Sequence, residues 1–272
     1  MRHVVCYSGG HSSALVAVEV ARKFGRENTV LINHDMHFAV EHASIKLFRA
    51  EVAAVLGIQV VQADYMGAQF DQFDVCVDKG AFKVDKGPIL CTHVLKTSPF
   101  MTWLQENIPT KDAVIYYGFD ADEMDRVQRR STALSAEGYR TDFPLALWPA
   151  SERTITSIEQ IGVRRPKTYA QFKHANCIGC LKAGWQHWYV VYCTRPDIWL
   201  KGKWAEEEIG YAIHHDETGP VYLEDMDLKF EAMKAAGVPA TEHISHQLFW
   251  AKANKIVKIN AIQQSLPCEC VT

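Results

Sequence analysis

Three cysteines and one serine–glycine loop carry most of the chemistry this sequence could perform. Cys177-Ile178-Gly179-Cys180 spaces two soft thiolates so that one metal ion or cluster can take both. The spacing is also that of a redox pair, although such a pair belongs at a helix start in a βαβ context. Cys91, in the segment 90–99, offers a third thiolate. There is no second Cys-x-x-Cys, which excludes a four-cysteine zinc ribbon from the main body. Zinc on these thiolates with His93 or His174 stays open, as does a purely structural set of thiols. The loop Ser8-Gly9-Gly10-His11-Ser12-Ser13 points to anion chemistry instead. Gly9 and Gly10 let the backbone approach a phosphate, and the Ser8, Ser12 and Ser13 hydroxyls can donate to it. It is not a Walker A loop, because that motif's spacing and lysine are absent.

The elements that must position these residues follow from the apolar pattern. Residues 4–7 read as a strand running into the loop, and a helix follows with Leu15, Val18 and Ala21 on one face and Gly25 as its stop. Strand, tight loop and helix together present backbone N–H groups and a positive helix end to an anion. Further strands are expected at 28–33, 58–63 and 113–117. A fifth is expected near 143–147, where Pro144 argues for an edge or a terminus. A helix over 40–56 carries Ile45, Phe48, Val52 and Val55 at helical spacing, with Gly57 as its stop. Others are expected at 92–106, broken or started by Pro99, and at 154–161, 228–236 and 249–262.

This alternation predicts an α/β fold: a parallel five-stranded sheet flanked by helices through right-handed crossovers. Ligands in such sheets bind beyond the carboxyl ends of the strands, near a switch in strand order. Three polar clusters fall at such ends: residues 8–13, Asn33-His34-Asp35 and Gly118-Phe119-Asp120. The coincidence weighs more than any single motif. Composition shifts beyond residue 200, which predicts an α/β core over 1–200 and a mainly helical C-terminal extension over 201–272.

Bulk properties narrow the class. Hydrophobic content of 48% and charge of 22% over 272 residues are ordinary for a soluble globular chain. No apolar run approaches the roughly 20 residues that span a bilayer. The start of the chain lacks signal-peptide zones, so a cytoplasmic protein without a membrane partner is expected. A net charge of −3 gives no global footprint for nucleic acid. Local basic patches do occur, at Arg126, Arg129, Arg130 and Arg140, and at Arg164, Arg165, Lys167 and Lys173. Eight cysteines in such a chain read as ligands or redox groups rather than disulfides. Cys6, Cys76 and Cys193 read as buried thiols.

The loop resembles the S-G-G-x-x-S pyrophosphate loop of the adenine-nucleotide α-hydrolase superfamily, whose members cleave ATP between the α and β phosphates. His11 and Ser12 replace the more usual pair of S-G-G-x-D-S. Taken together, the pieces resemble the phosphoadenosine phosphosulfate reductase family in the broad sense. That family includes sulfonucleotide reductases and the ATP pyrophosphatases of DNA phosphorothioation. Tyr7 with residues 8–13 is similar to its phosphate loop, and residues 33–41 to its second nucleotide-contacting loop. Residues 91–96 resemble its Cys-Thr-x-x-Leu-Lys, residues 118–126 its Gly-x-x-x-x-Glu-Ser-x-Arg, and residues 143–148 its Tyr-Pro-Leu-x-x-Trp. Cys177 to Cys180 resembles its cluster motif, and the likeness covers about residues 2–185.

The resemblance implies ATP held by Tyr7, Ser8, Gly9, Gly10, His11, Ser12, Ser13, Asn33, Asp35, Gly118 and Phe119, with Mg²⁺ on Glu123 or Asp120. Arg126 and Lys96 would neutralise anionic charge. Cys91, Cys177 and Cys180 are the implied ligands of a [4Fe–4S] cluster. Position 92 is Thr where cluster-bearing reductases have a second cysteine. The fourth iron would then be open to sulfide or persulfide, or completed by Cys268 or Cys270. Glu269-Cys270 also resembles the nucleophilic Glu-Cys tail of the classical reductases.

Three functions compete. The first is ATP-dependent sulfur transfer, with an adenine nucleotide, a sulfur donor protein such as a cysteine desulfurase, and tRNA or DNA as acceptor. The second is reductive release of sulfite from an adenylyl sulfate, with Cys270 as nucleophile. The third is a non-catalytic nucleotide- and metal-binding subunit of a larger complex. The unaltered Ser-Gly-Gly loop favours the first.

Overall fold

The computed structural model describes residues 1–83, 87 and 89–265; Cys268 and Cys270 lie outside them. In chain order the elements begin β1 (Arg2–Cys6), α1 (His11–Phe24), β2 (Thr29–Asn33), α2 (Ala43–Leu56), β3 (Val60–Gln62) and α3 (Gln72–Asp78). Then come α4 (Leu90–Thr92), α5 (Ser98–Asn107), β4 (Ala113–Tyr116), α6 (Met124–Ala136), β5 (Arg140–Asp142) and α7 (Pro144–Leu147). The remainder is α8 (Trp185–Thr194), α9 (Pro196–Ile209), the strands β6 (His214–Asp216) and β7 (Gly219–Val221), α10 (Asp227–Ala235) and α11 (His246–Ser265). Two compact units result. The first comprises residues 1–71, 90–169 and 174–177. The second comprises the described residues of 72–89, 170–173 and 178 onward.

In the first unit the sheet is five-stranded and all parallel, in the order β3-β2-β1-β4-β5. Its central strands β1, β2 and β4 are buried on both faces, which is why β1 reads as a continuous apolar run. Alternate residues still divide between two cores. Val5 and Leu31 join Val16 of α1 and Phe48 of α2 on one face. Val4 and Ile32 join Leu104 of α5 and Val127 of α6 on the other. The expected α/β architecture, with helices toward the C-terminus, is the one observed.

Several local expectations change. The fifth strand ends before residue 143, and Pro144 instead opens the short helix α7. A proline lacks the N–H that a sheet requires, but its fixed φ suits the first helical turn. The helix expected at 154–161 is only a 3₁₀ turn, Ile158–Ile161, closed by a Ser157/Gln160 capping box and by Gly162 at φ 82°. Ahead of it, the Thr154 and Ile155 amides donate to the buried Glu19 carboxylate at 2.6 and 2.8 Å. Within 92–106, a π-helical stretch, His93–Thr97, separates α4 from α5. On α2, Val55 is exposed and Arg49 shares the buried face with Ile45, Phe48 and Val52.

The second unit is helical, with one antiparallel hairpin of β6 and β7. Its centre is aromatic: Trp188, Trp199, Tyr189, Tyr192, Phe230 and Phe249 meet mostly edge-to-face. Helix α8 carries no clear stripe because six consecutive residues, 186–191, are buried. A helix buried all round loses the period that marks an amphipathic one. Among the described residues, no helix is long and apolar enough to cross a membrane.

Candidate functional site

The strand order fixes where a ligand belongs. From β1 the chain moves outward through β2 to β3, then returns to the other side of β1 as β4. The crevice between the carboxyl ends of β1 and β4 is therefore the switch point of the sheet. The loop after β1 and the loop after β4 meet there. Built onto Gly118, a Cβ would lie 2.7 Å from the Ser13 nitrogen and 2.8 Å from the Ser12 carbonyl carbon. Only a glycine allows this backbone approach. Ser12 Oγ donates to Asp120 Oδ2 at 3.4 Å across the same contact.

The loop is shaped for an anion. Gly9 takes φ +80°, and its Cα packs against Ile45 and Arg49 of α2. Ser8 and Ser13 pair through their hydroxyls at 3.1 Å, and Ser13 Oγ also donates to the Gly10 carbonyl at 2.9 Å. Gly10 caps α1 without any side-chain bond, so the first-turn amides are presented rather than covered. One of them is engaged: the His11 amide donates to the Tyr169 hydroxyl at 3.0 Å. The His11 side chain turns away to accept from the Ile158 amide at 3.4 Å. Burial, then the charge of Arg165, pushes its imidazole below the ordinary value. Tyr7 contributes main chain only, its ring being fully buried and its hydroxyl bound to the Arg49 carbonyl at 3.4 Å.

At the end of β2, Asn33 Nδ2 donates to the Tyr7 carbonyl at 2.7 Å. Its Oδ1 is buried and accepts nothing from the described residues. Asp35 Oδ1 receives Lys46 Nζ and Arg49 Nη2, both at 2.6 Å, while Arg49 also reaches Glu41 at 3.4 Å. Burial pushes the Asp35 carboxyl up, but the hydrogen bonds from Lys46 and Arg49 outweigh it and hold the group below its ordinary value. The Asp35 amide donates to the Asp64 carboxylate. His34 Nδ1 donates to the Ala63 carbonyl at 2.8 Å, and burial pushes the ring down to about 4, so it is neutral at physiological pH.

After β4, Asp120 and Glu123 form a capping box at the start of the turn that leads into α6. Burial, then the charges of Glu123 and Asp122, pushes the Asp120 carboxyl up. Arg126 pairs with Glu123 and lies 4.2 Å from the centre of the Phe119 ring, which stacks on Tyr117 and Phe143.

Cys91 and Cys177 belong to the first unit and Cys180 to the second. Lys96 Nζ lies 3.9 Å from Cys177 Sγ. Among the described residues no group of three or more His, Cys, Asp or Glu side chains is arranged to hold a metal ion. The glycine-lined loop and the first turn of α1 stand at the switch point, and Asn33 Oδ1, unpartnered among the described residues, is buried at the end of β2. Burial pushes the Cys6 thiol up to about 12 and raises that of Cys193 as well, and Cys76 is fully buried.

Lys46, Arg49, Glu41's ion pair, Asp64 and Tyr169 complete the site, and motif reading did not find these roles. Lys46 and Arg49 stand one helical turn apart on α2, a spacing that could have marked them. Nothing local marks Tyr169, which reaches His11 from 158 positions along the chain. Neither family models, nor curated proteins, nor solved structures match this chain.

Proposed function

We propose that this chain is an ATP-dependent, pyrophosphate-releasing sulfur-transfer enzyme. The observation that carries the reading is the Gly118 backbone set against Ser12 and Ser13 at the switch point, beside a helix start whose N-cap, Gly10, offers no capping side chain. Such a cradle suits the β,γ-pyrophosphate of ATP, because amides and a helix end stabilise the charge that builds on the leaving group. No lysine is needed for that task. An acceptor oxygen attacks the α-phosphorus, the bond to the β-phosphate oxygen breaks, and pyrophosphate leaves. Asp120, which accepts from Ser12, would share in holding the Mg²⁺ that accompanies ATP, which needs oxygen ligands.

The second half of the reaction needs a sulfur nucleophile. A cysteine acts as thiolate, and a neighbouring ammonium favours that form, as Lys96 stands to Cys177. In this scheme a donor protein such as a cysteine desulfurase loads Cys177 as a persulfide. The outer sulfur displaces AMP from the adenylated acceptor, and a second thiol cleaves the sulfur–sulfur bond, leaving a disulfide for an external thiol to reduce. The acceptor class we assign is nucleic acid, because Arg126, Arg129 and Arg130 follow the β4 loop on α6.

Product analysis tests this. Incubation with Mg-ATP, a persulfide donor and tRNA or DNA should yield AMP and pyrophosphate in equal amounts, with sulfur incorporated into the nucleic acid. Release of sulfite from an adenylyl sulfate, with no ATP cleavage, would replace it with the reductase reading.

A further inference from the structure

The turn that ends in Cys180 is gripped by side chains from the second unit, on both its donors and its acceptors. His187 Nε2 accepts from the Gly179 amide at 3.2 Å and from the Cys180 amide at 3.4 Å. Gln72 Nε2 donates to the Ile178 carbonyl at 2.8 Å and to the Gly179 carbonyl at 3.1 Å. The backbone between them is Gly179 at φ +71°, where an added Cβ would stand 2.7 Å from Ile198 Cγ2 and 3.1 Å from Phe73 Cζ. Any side chain at position 179 would therefore be strained, and two residues, the nearby His187 and the distant Gln72, satisfy four polar groups of the turn.

The histidine is itself oriented. Because Nε2 accepts two N–H bonds, the ring proton sits on Nδ1, which meets Glu242 Oε1 at 2.5 Å. A carboxylate on one ring nitrogen fixes tautomer and ring plane for the work done by the other. Phe172 packs against the ring at a centroid distance of 5.2 Å. Glu242 is anchored in turn. Its Oε2 accepts from the Lys173 amide at 2.8 Å, and its own amide donates to the Gln171 carbonyl at 2.8 Å. Gln186, next to His187, donates to the Thr241 and Ile244 carbonyls at 2.9 and 3.0 Å, holding the segment that carries Glu242.

A buried turn needs hydrogen-bond partners of any kind. A carboxylate-oriented imidazole is more than that need requires, since a hydroxyl or an amide would satisfy two N–H groups without burying an acid beside a histidine. We propose that His187 and Glu242 are positioning residues that fix the Cys180 turn, so that its thiol is presented in one geometry. The inference rests on the reading of Cys177 and Cys180 as working thiols, and it adds the device that sets one of them.

Hydrogen exchange of the whole protein tests the device apart from any activity. His187→Phe should raise exchange at the Gly179 and Cys180 amides by about tenfold or more, the range of one lost hydrogen bond to a buried group. His187→Gln, which returns an acceptor near the Nε2 position, should restore much of the protection. The amides of Tyr189, Val190 and Val191 in α8 serve as the internal control and should stay protected in both variants. The rate of Cys180 alkylation relative to Cys177, read by mass spectrometry, should shift in His187→Phe and return in His187→Gln. In a sulfur-transfer assay the Phe variant should lower kcat with little change in KM for ATP. Unchanged exchange at 179 and 180 in a folded His187→Phe protein overturns the proposal. Equal loss in Gln and Phe variants does the same. Altered exchange and alkylation without any sulfur-transfer activity in the unaltered protein would leave the positioning device standing and overturn the proposed function instead.

Discussion

The two units place their glycines for opposite purposes. In the first, Gly118 brings backbone against backbone where the loops after β1 and β4 meet, and Gly9 turns the loop at φ +80°. In the second, Gly179 and Gly202 make room for large side chains, with Ile198, Trp188 and Leu223 filling the space a Cβ would take. One unit uses the missing side chain to expose amides, and the other uses it to close a core. The polar groups follow the same division. Asp35 is half-buried and Asp120 exposed at strand ends, whereas Glu206 is buried and accepts from the Ile213 and Leu223 amides at 2.8 and 2.7 Å.

Substitutions should separate these roles. The largest effect is expected at Arg49, whose removal leaves the buried Glu41 and the half-buried Asp35 with Lys46 as a remaining partner. Arg49→Met should lower the stability of the first unit by about 3 kcal/mol, as expected when one partner of a buried pair is deleted; chemical denaturation followed by tryptophan fluorescence would measure it. Next comes the contrast of Gly118→Val with Gly179→Ala. The first should cost about 100-fold in pyrophosphate release, the scale of a misplacement of about 1 Å at a reacting centre. The second should cost about 2 kcal/mol of stability through overpacking and a strained φ, while nucleotide binding below its melting temperature stays intact.

A smaller effect is a pH dependence confined to the second unit. Burial raises the Glu206 carboxyl from 4.5 to about 7, and the two backbone hydrogen bonds only partly oppose it. The folded protein therefore holds this proton more tightly than the unfolded chain does. The associated stability is fully present below 4.5 and is lost as the pH rises toward and through about 7. Thermal melts of Glu206→Gln across that window should show a flatter profile than the unaltered protein. Smallest is Tyr169→Phe. It frees the His11 amide from the phenol, whose own ionisation is pushed up chiefly by burial. Release of that competitor should tighten ATP binding about fivefold, the equivalent of about 1 kcal/mol for one hydrogen bond; titration calorimetry would read it.

The difference between the units also explains what could be read in the chain. The sheet, the loop after β1 and the cluster around Gly118 are local patterns: an apolar run, then glycine and polar residues at its end. Arg49 was hidden because a long side chain can lie on a buried helix face while its charge reaches Asp35. Pro144 misplaced the fifth strand by its apolar neighbours, although its backbone chemistry pointed to a helix start. Helix α8 lacked a stripe because it is buried on all sides. The grip of His187 on the Cys180 turn depends on Glu242, 55 positions away, and no spacing rule reaches that far.

Calorimetric titration with inorganic pyrophosphate most directly tests the claim that the loops after β1 and β4 form the site. One pyrophosphate per chain should bind, compete with ATP, and be lost in Gly118→Val but retained in Gly179→Ala. Equal binding in Gly118→Val and the unaltered protein would place the anion elsewhere and contradict the account.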